Sequence, residues 1–327
     1  MKKSTIALGV LAAVTAVGYS AYNTLFSAKS VTVDAAAQEQ KFTQYAHPEH
    51  FISAHQLKSM MDSGKDVVVI GALNPIKPDS PILGSYALWR NDYSAANGHY
   101  DFDGMSNSIE EMETILGSFG ATADSTIVVY AAGSHHDAGR LYWQIHNLGH
   151  QDVRYLDGGL NVWKGAGYPT GSANQSVTAV EYKAPNPRQD NNALATLDMV
   201  IAAQNNPDWV ILDTRGNDEF NGKVSISGAY GPGTIPSSVH IDWTKALNED
   251  TTLKSAQELQ ALYGNIIKGK KVIAYCQSGV RSAHTTMILT EVLGATGVYN
   301  YDGSWIEYSH AHYEQKNPEV HVINGKS

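Results

Sequence analysis

Val272-Ile273-Ala274-Tyr275-Cys276-Gln277-Ser278-Gly279-Val280-Arg281-Ser282 is the stretch on which the fold turns. The apolar run ending at Tyr275 suits a short buried strand. Beyond it Ala283, Met287, Ile288 and Val292 recur mostly at three- and four-residue intervals. This predicts a helix that starts at Ser282 or just before and is capped by Gly294 after Leu293. Cys276 therefore sits between the end of a strand and the start of a helix, where open α/β sheets place their ligand sites.

Cys276 is the single cysteine of 327 residues, which excludes an intrachain disulfide and a multi-thiolate zinc site. Gly279 lets the backbone bend so that successive N–H groups can face the sulfur. Amides at a helix start favour negative charge, so the thiol pKa is expected to fall and the thiolate to act as nucleophile. Arg281 adds a fixed cation able to hold an oxyanion or the oxygens of a sulfur donor by paired hydrogen bonds. Cys276 is thus the candidate catalytic residue, and Gln277, Ser278, Gly279, Val280, Arg281 and Ser282 are candidate substrate-binding residues. A cysteine serving only as a small core hydrophobe would need neither Gly279 nor a neighbouring cation.

Working outward, the chain repeats itself. Asp66 to Ile70 matches Asp208 to Leu212, Val128 to Ala131 matches Val272 to Tyr275, and Leu148-Gly149 matches Leu293-Gly294. Tyr155 to Gly158 matches Asn300 to Gly303, and Trp163 matches Trp305. In each copy short β-branched runs alternate with longer segments of helical spacing, which predicts an α/β fold: two tandem domains, each a parallel sheet with helices on both faces. The Ser-, Asn-, Gln- and Pro-containing stretch 171–192 reads as the linker between domains at 42–170 and 193–327, with residues 1–41 set apart.

With these features in place, the chain resembles the tandem-domain rhodaneses, a sulfurtransferase family that includes thiosulfate and mercaptopyruvate sulfurtransferases. The likeness covers about residues 46 to 310. It rests on the six-residue loop Cys276 to Arg281, on Leu212-Asp213-Thr214-Arg215 with Glu219-Phe220, on Gly233-Thr234-Ile235-Pro236 leading to Ile241-Asp242-Trp243, and on Asp302-Gly303-Ser304-Trp305. The resemblance implies a persulfide on Cys276, a small-molecule sulfur donor, and cyanide, a small thiol or a protein thiol as acceptor. It implies no metal and no organic cofactor. Asp213 and Arg215 are expected to support the loop rather than touch substrate. The loop fits neither donor class cleanly: Gln277 and Ser278 lie inside it, and Arg281 stands where mercaptopyruvate-type members carry Thr. A sulfur carrier that loads sulfane sulfur and delivers it to one protein partner is the alternative reading.

The N-terminal copy departs from the pattern. The matched runs set Ala132 opposite Cys276 and Gly71 opposite Asp213, so this half is expected to be a scaffold without a nucleophile. His135 and His136 are read as solvated residues of a surface loop rather than metal ligands, and the His310 and His312 pair is read the same way.

Lys2 and Lys3 precede an uncharged run from Ser4 to Ala28, which predicts export to the periplasm. A signal cleaved after Ala37 and an uncleaved inner-membrane anchor both stay open. The 23 Lys and Arg against 32 Asp and Glu give a net charge of −9, which argues against nucleic-acid binding. Cysteine phosphatases place five residues between Cys and Arg. Only four separate Cys276 from Arg281, and Ser282 occupies the phosphatase arginine position, so the loop is too tight for phosphate.

Overall fold

The structure is a computed structural model that describes residues 30–324 apart from 77–78, 134, 175 and 188–193. Most of the proposed leader, residues 1–29, lies outside the described residues. Among those described, no helix is long and apolar enough to cross a membrane.

The N-terminal half forms a sheet from β1 (Phe51–Ile52), β2 (Val67–Ala72), β3 (Tyr86–Leu88), β4 (Thr126–Ala131) and β5 (Val153–Leu156). The C-terminal half forms a second from β6 (Leu194–Ala195), β7 (Trp209–Asp213), β8 (Val239–His240), β9 (Lys271–Tyr275) and β10 (Val298–Tyr301). The orders are β1-β5-β4-β2-β3 and β6-β10-β9-β7-β8, and every ladder is parallel. The second sheet repeats the first strand for strand, as the internal repeat predicts.

Ten α-helices flank the strands among the described residues: α1 (Ala35–Phe42), α2 (Ala54–Asp62), α3 (Ile109–Ser118), α4 (His135–Asn147), α5 (Gly159–Gly165), α6 (Leu197–Ala203), α7 (Asn217–Phe220), α8 (Ala256–Ile267), α9 (Val280–Met287) and α10 (Ser304–Tyr313). Ser53, Ser108 and Ser255 start α2, α3 and α8 with capping boxes to Gln56, Glu111 and Glu258. The helix after Cys276 starts at Val280, and its last turn, Ile288–Val292, opens into a π-helical turn.

The pleat sorts side chains onto two faces of each sheet. Val68, Ile70, Ile127 and Val129 share one buried cluster with Val210, Leu212 and Val272, so the inner faces of both sheets feed a common core that also holds Tyr142, Ile145, Met287 and Ile288. The outer faces stay separate: Val69, Val128 and Tyr130 pack on Leu160 and Trp163, and Ile211, Ile273 and Tyr275 pack on Trp305 and Tyr308. At roughly 1.5–3 kcal/mol per fully buried large aliphatic side chain, this shared layer is the main force joining the halves.

Register sharpens the comparison of the halves. Tyr130 OH accepts from the Ile82 amide at 3.0 Å and meets Ser85 Oγ at 2.8 Å. Tyr275 OH accepts from the Ile235 amide at 3.3 Å and meets Ser238 Oγ at 3.4 Å. Tyr130 pairs with Gly71, and Tyr275 with Asp213. The residue in the place of Cys276 is therefore Ala131, not Ala132 as the hydrophobic runs suggested. The run of apolar residues tolerates a slip of one, whereas the buried hydroxyls do not. Gly71 does stand opposite Asp213, and the corrected register still leaves the N-terminal loop without a thiol.

His135 and His136 correct the sequence reading outright. They open α4 and are 1% exposed, wedged at the junction of the halves. His136 packs edge-on against Trp243 at 4.5 Å, and His284 of α9 packs against the same ring at 5.5 Å. The helix starts inside the interface, and burial there shields both rings from solvent. His310, by contrast, is half-buried between Phe102 and Tyr230.

Burial holds the His135 pKa down to about 4, and it keeps His136 and His284 well below their ordinary value. An unfolded chain binds protons near pH 6.5 that these folded imidazoles refuse. Stability is thus complete above that pH and falls as pH drops toward 4, by up to about 1.4 kcal/mol per pH unit for each ring. Denaturant midpoints measured between pH 7 and 4.5 should fall steeply; a flat profile would exclude neutral burial.

Candidate active site

Cys276 follows β9, the central strand of its sheet, and is 1% exposed. Its own amide and that of Gly279 both donate to Ser304 Oγ, at 3.1 and 2.9 Å, while Ser304 donates to Tyr301 O at 2.6 Å. Ser304, with φ of 49°, is thus the post around which the loop is wound. Gly279 sits at φ 73°, and a Cβ there would lie 2.6 Å from Asp302 O and 2.9 Å from Arg140 Nη1, so only glycine fits. Asn300 braces the same turn: its Nδ2 donates to Gly279 O at 3.1 Å, and its Oδ1 accepts from Ser282 Oγ at 2.6 Å.

Two of the loop amides are therefore taken by Ser304, and those of Ser278 and Ser282 are the ones that serve the sulfur. Ser282 Oγ lies 3.6 Å from Sγ. Burial alone would push the thiol up. The charge of Arg281 and the amides of Ser282 and Ser278 together outweigh it and hold the pKa below the ordinary thiol value.

Arg281 is not turned outward to await an anion. Its guanidinium makes a two-pronged ion pair with Glu219, Nη1 to Oε2 at 2.6 Å and Nη2 to Oε1 at 2.8 Å. Glu219 also accepts from the Gly216 amide at the start of α7, which fixes its position. Gln277 reaches across to donate to Ile226 O at 3.3 Å. Val280 is buried, and Ser278 faces Gly104 of the N-terminal half.

Replacing Arg281 by alanine removes the cation that favours the thiolate, so the pH dependence of kcat/KM should shift to higher pH. Glu219→Gln should shift it the other way by leaving that cation unneutralised. Coincident profiles for the two variants would remove Arg281 from any electrostatic role.

Asp213 and Arg215 brace the strand just ahead of the thiol. Arg215 Nη2 bonds Asp213 Oδ2 at 2.7 Å and Gly233 O at 2.9 Å, and its guanidinium lies over the Trp305 and Tyr275 rings at 4.7 and 5.3 Å. Tyr275 OH donates to Asp213 Oδ2 at 2.6 Å. Burial would raise the Asp213 pKa, but the Arg215 charge and these hydrogen bonds hold it below the usual carboxylate value.

Arg140, which the sequence reading did not single out, reaches the loop from the other half. Projecting from α4 and 1% exposed, it pairs with Asp302 Oδ1, donates to Gly279 O at 3.3 Å and donates to Gly104 O at 3.3 Å. The other oxygen of Asp302 accepts from the Ser106 amide and hydroxyl at 2.8 and 2.9 Å. The N-terminal half thus clasps the corner that carries Ser304. The halves reciprocate: Asp157, matched to Asp302 in the repeat, accepts from the Leu253 amide of the C-terminal half at 2.7 Å and from Lys41 at 2.8 Å. A solitary Arg among Leu141, Tyr142 and Trp143 was the available signal, yet its partner lies 162 positions away.

A family model described as the rhodanese-like domain matches residues 53–166 and again 196–311. The chain belongs to the rhodanese-like family. A Mycobacterium leprae protein with thiosulfate sulfurtransferase in its name is 37% identical over 273 residues, covering 80% of this chain and 95% of that one. A similarly named protein of Saccharopolyspora erythraea is 39% identical over 208 residues, 61% of this chain and 72% of the relative. These likenesses identify the rhodanese-like chain as a sulfurtransferase. In fold it is similar to the anaerobic ergothioneine biosynthesis enzyme of Chlorobium limicola, with a TM-score of 0.74, 21% identity and coverage of 86% and 72%. The crystal structure of YnjE is also similar, with a TM-score of 0.72, 23% identity and coverage of 86% and 70%.

Proposed function

We propose that the chain moves sulfane sulfur from thiosulfate, or a comparable inorganic donor, to a thiophilic acceptor through a persulfide on Cys276. The observation that carries this reading is the buried thiol held below its ordinary pKa by loop amides and Arg281. The names of the curated relatives support the donor, and export, inferred from the leader, favours thiosulfate or polysulfide over a cytosolic keto acid.

In the first half-reaction the Cys276 thiolate attacks the outer sulfur of thiosulfate. A sulfur–sulfur bond forms, the bond to the sulfonate sulfur breaks, and its electron pair leaves on sulfite. In the second, cyanide carbon or a thiolate attacks the terminal sulfur, and Cys276 regains its electron pair. No proton moves in either step with cyanide, so no histidine base is required. The Ser278 and Ser282 amides hold negative charge at the loop throughout, and Gln277 to Ser282 form the wall against which the donor binds. Intact-mass measurement before and after thiosulfate tests the reading: one sulfur atom should be gained, and cyanide should remove it. Polysulfide and mercaptopyruvate in the same assay rank the donors. A persulfide that loads but does not turn over would indicate a carrier instead.

A further inference from the structure

At the opposite end of the junction from His135 and His136, three side chains from both halves converge with no part in the sulfur chemistry. His50 precedes β1, His146 lies in the last turn of α4, and Glu291 sits in the π-helical turn after α9. One ligand atom from each lies within 4.8 Å of the others. We propose that His50, His146 and Glu291 form a binding site for a borderline divalent cation of the zinc class, which fastens the two halves together.

Two imidazoles and one carboxylate make up a donor set that suits zinc and its neighbours, and three such ligands leave a fourth position for water. A tetrahedral ion with bonds of about 2.0–2.1 Å sets its ligands roughly 3.4 Å apart. Here His50 Nδ1 and Glu291 Oε2 are 2.7 Å apart, so metal entry requires them to part by less than an ångström while the His146 ligand atom, within 4.8 Å of both, draws closer. The His50 and His146 rings already meet edge to face at 5.4 Å. Tyr142 OH lies 2.6 Å from His50 Nδ1, close enough to take the fourth position or to bond a water there.

Further features favour a built site. His146 and Glu291 occupy matched positions of the repeat, as do Gly139 and His284, where α4 and α9 touch so closely that a Cβ on Gly139 would lie 2.6 Å from His284 Cβ. The two ligands thus come from equivalent positions of the two halves. The π-helical turn, a rare distortion often found at functional sites, carries Glu291. Backbone bonds from the Ala46 and His47 amides to Val292 and Glu291 carbonyls, at 3.0 and 2.9 Å, hold the segment leading to His50 against that turn. A small cavity lined by Tyr142, His146, Thr290 and Glu291 gives an ion its way in.

The test is calorimetric titration of the full chain, stripped with chelator, with zinc chloride. One equivalent should bind, and the thermal midpoint should rise with zinc concentration. His146→Ala and Glu291→Gln should each weaken binding by at least about tenfold, the loss typical of even an outer partner. Cys276→Ser should leave it unchanged. Cobalt in place of zinc should give visible absorption that is lost in the same two variants, and circular dichroism of the metal-free variants reports their folding. Should Glu291→Gln fail to fold, His146→Ala and the cobalt spectrum of the parent decide. No binding, binding abolished by Cys276→Ser, or binding unchanged in His146→Ala would overturn the proposal; the last would assign the ion to surface histidines.

Discussion

Cys276→Ser abolishes sulfur transfer and leaves the fold in place. Serine is nearly isosteric and keeps the backbone bond from residue 276 to Ser304, so the loop has no reason to unwind. Its hydroxyl, however, cannot accept and release a sulfane sulfur. No other thiol in the chain can substitute. Turnover should fall by at least about a thousandfold, to background, because nucleophile loss removes both half-reactions together. The variant should also gain no sulfur on exposure to thiosulfate, while its unfolding midpoint stays within about 1 kcal/mol of the parent. Residual turnover above background would remove Cys276 as the sulfur carrier.

Removing Arg140 should be the most destabilising single change near the site. Its partner Asp302 is 1% exposed, and Arg140→Met would leave that carboxylate with Ser106 but without its cation. Breaking one side of a buried pair costs about 3–5 kcal/mol, because the remaining charge stays in a low-dielectric setting. Arg140→Met combined with Asp302→Asn should cost less than the sum of the separate changes, since no bare charge remains. Guanidinium unfolding of the four proteins measures this coupling. Because Arg140 also holds Gly279 O, kcat/KM should fall in the single variant. A loss below about 1 kcal/mol would show that the clasp contributes little to holding the halves together.

The strand, the turn and the helix around Cys276 were legible because each follows from local spacing, and the duplicated domain was legible because it is written twice. The slip from Ala132 to Ala131 arose where apolar residues are interchangeable: Val128 to Ala131 fits its counterpart equally well one step away. Only the hydroxyls of Tyr130 and Tyr275, bonded to residues more than thirty positions off, fix the register. Arg281 is legible as a cation near the thiol, but its pairing with Glu219 depends on how α7 packs and has no local signature. His135 and His136 looked solvated because neighbouring polar residues usually are. They are buried because a second helix from the other half closes over them, and that approach is invisible in a one-dimensional pattern.

The merged interior of the two sheets makes each copy a wall of the other. Because the copies seal their inner surfaces together, deleting either would expose a slab of aliphatic side chains to water. The N-terminal copy carries no thiol, yet the apolar surface it covers fixes its place in the molecule.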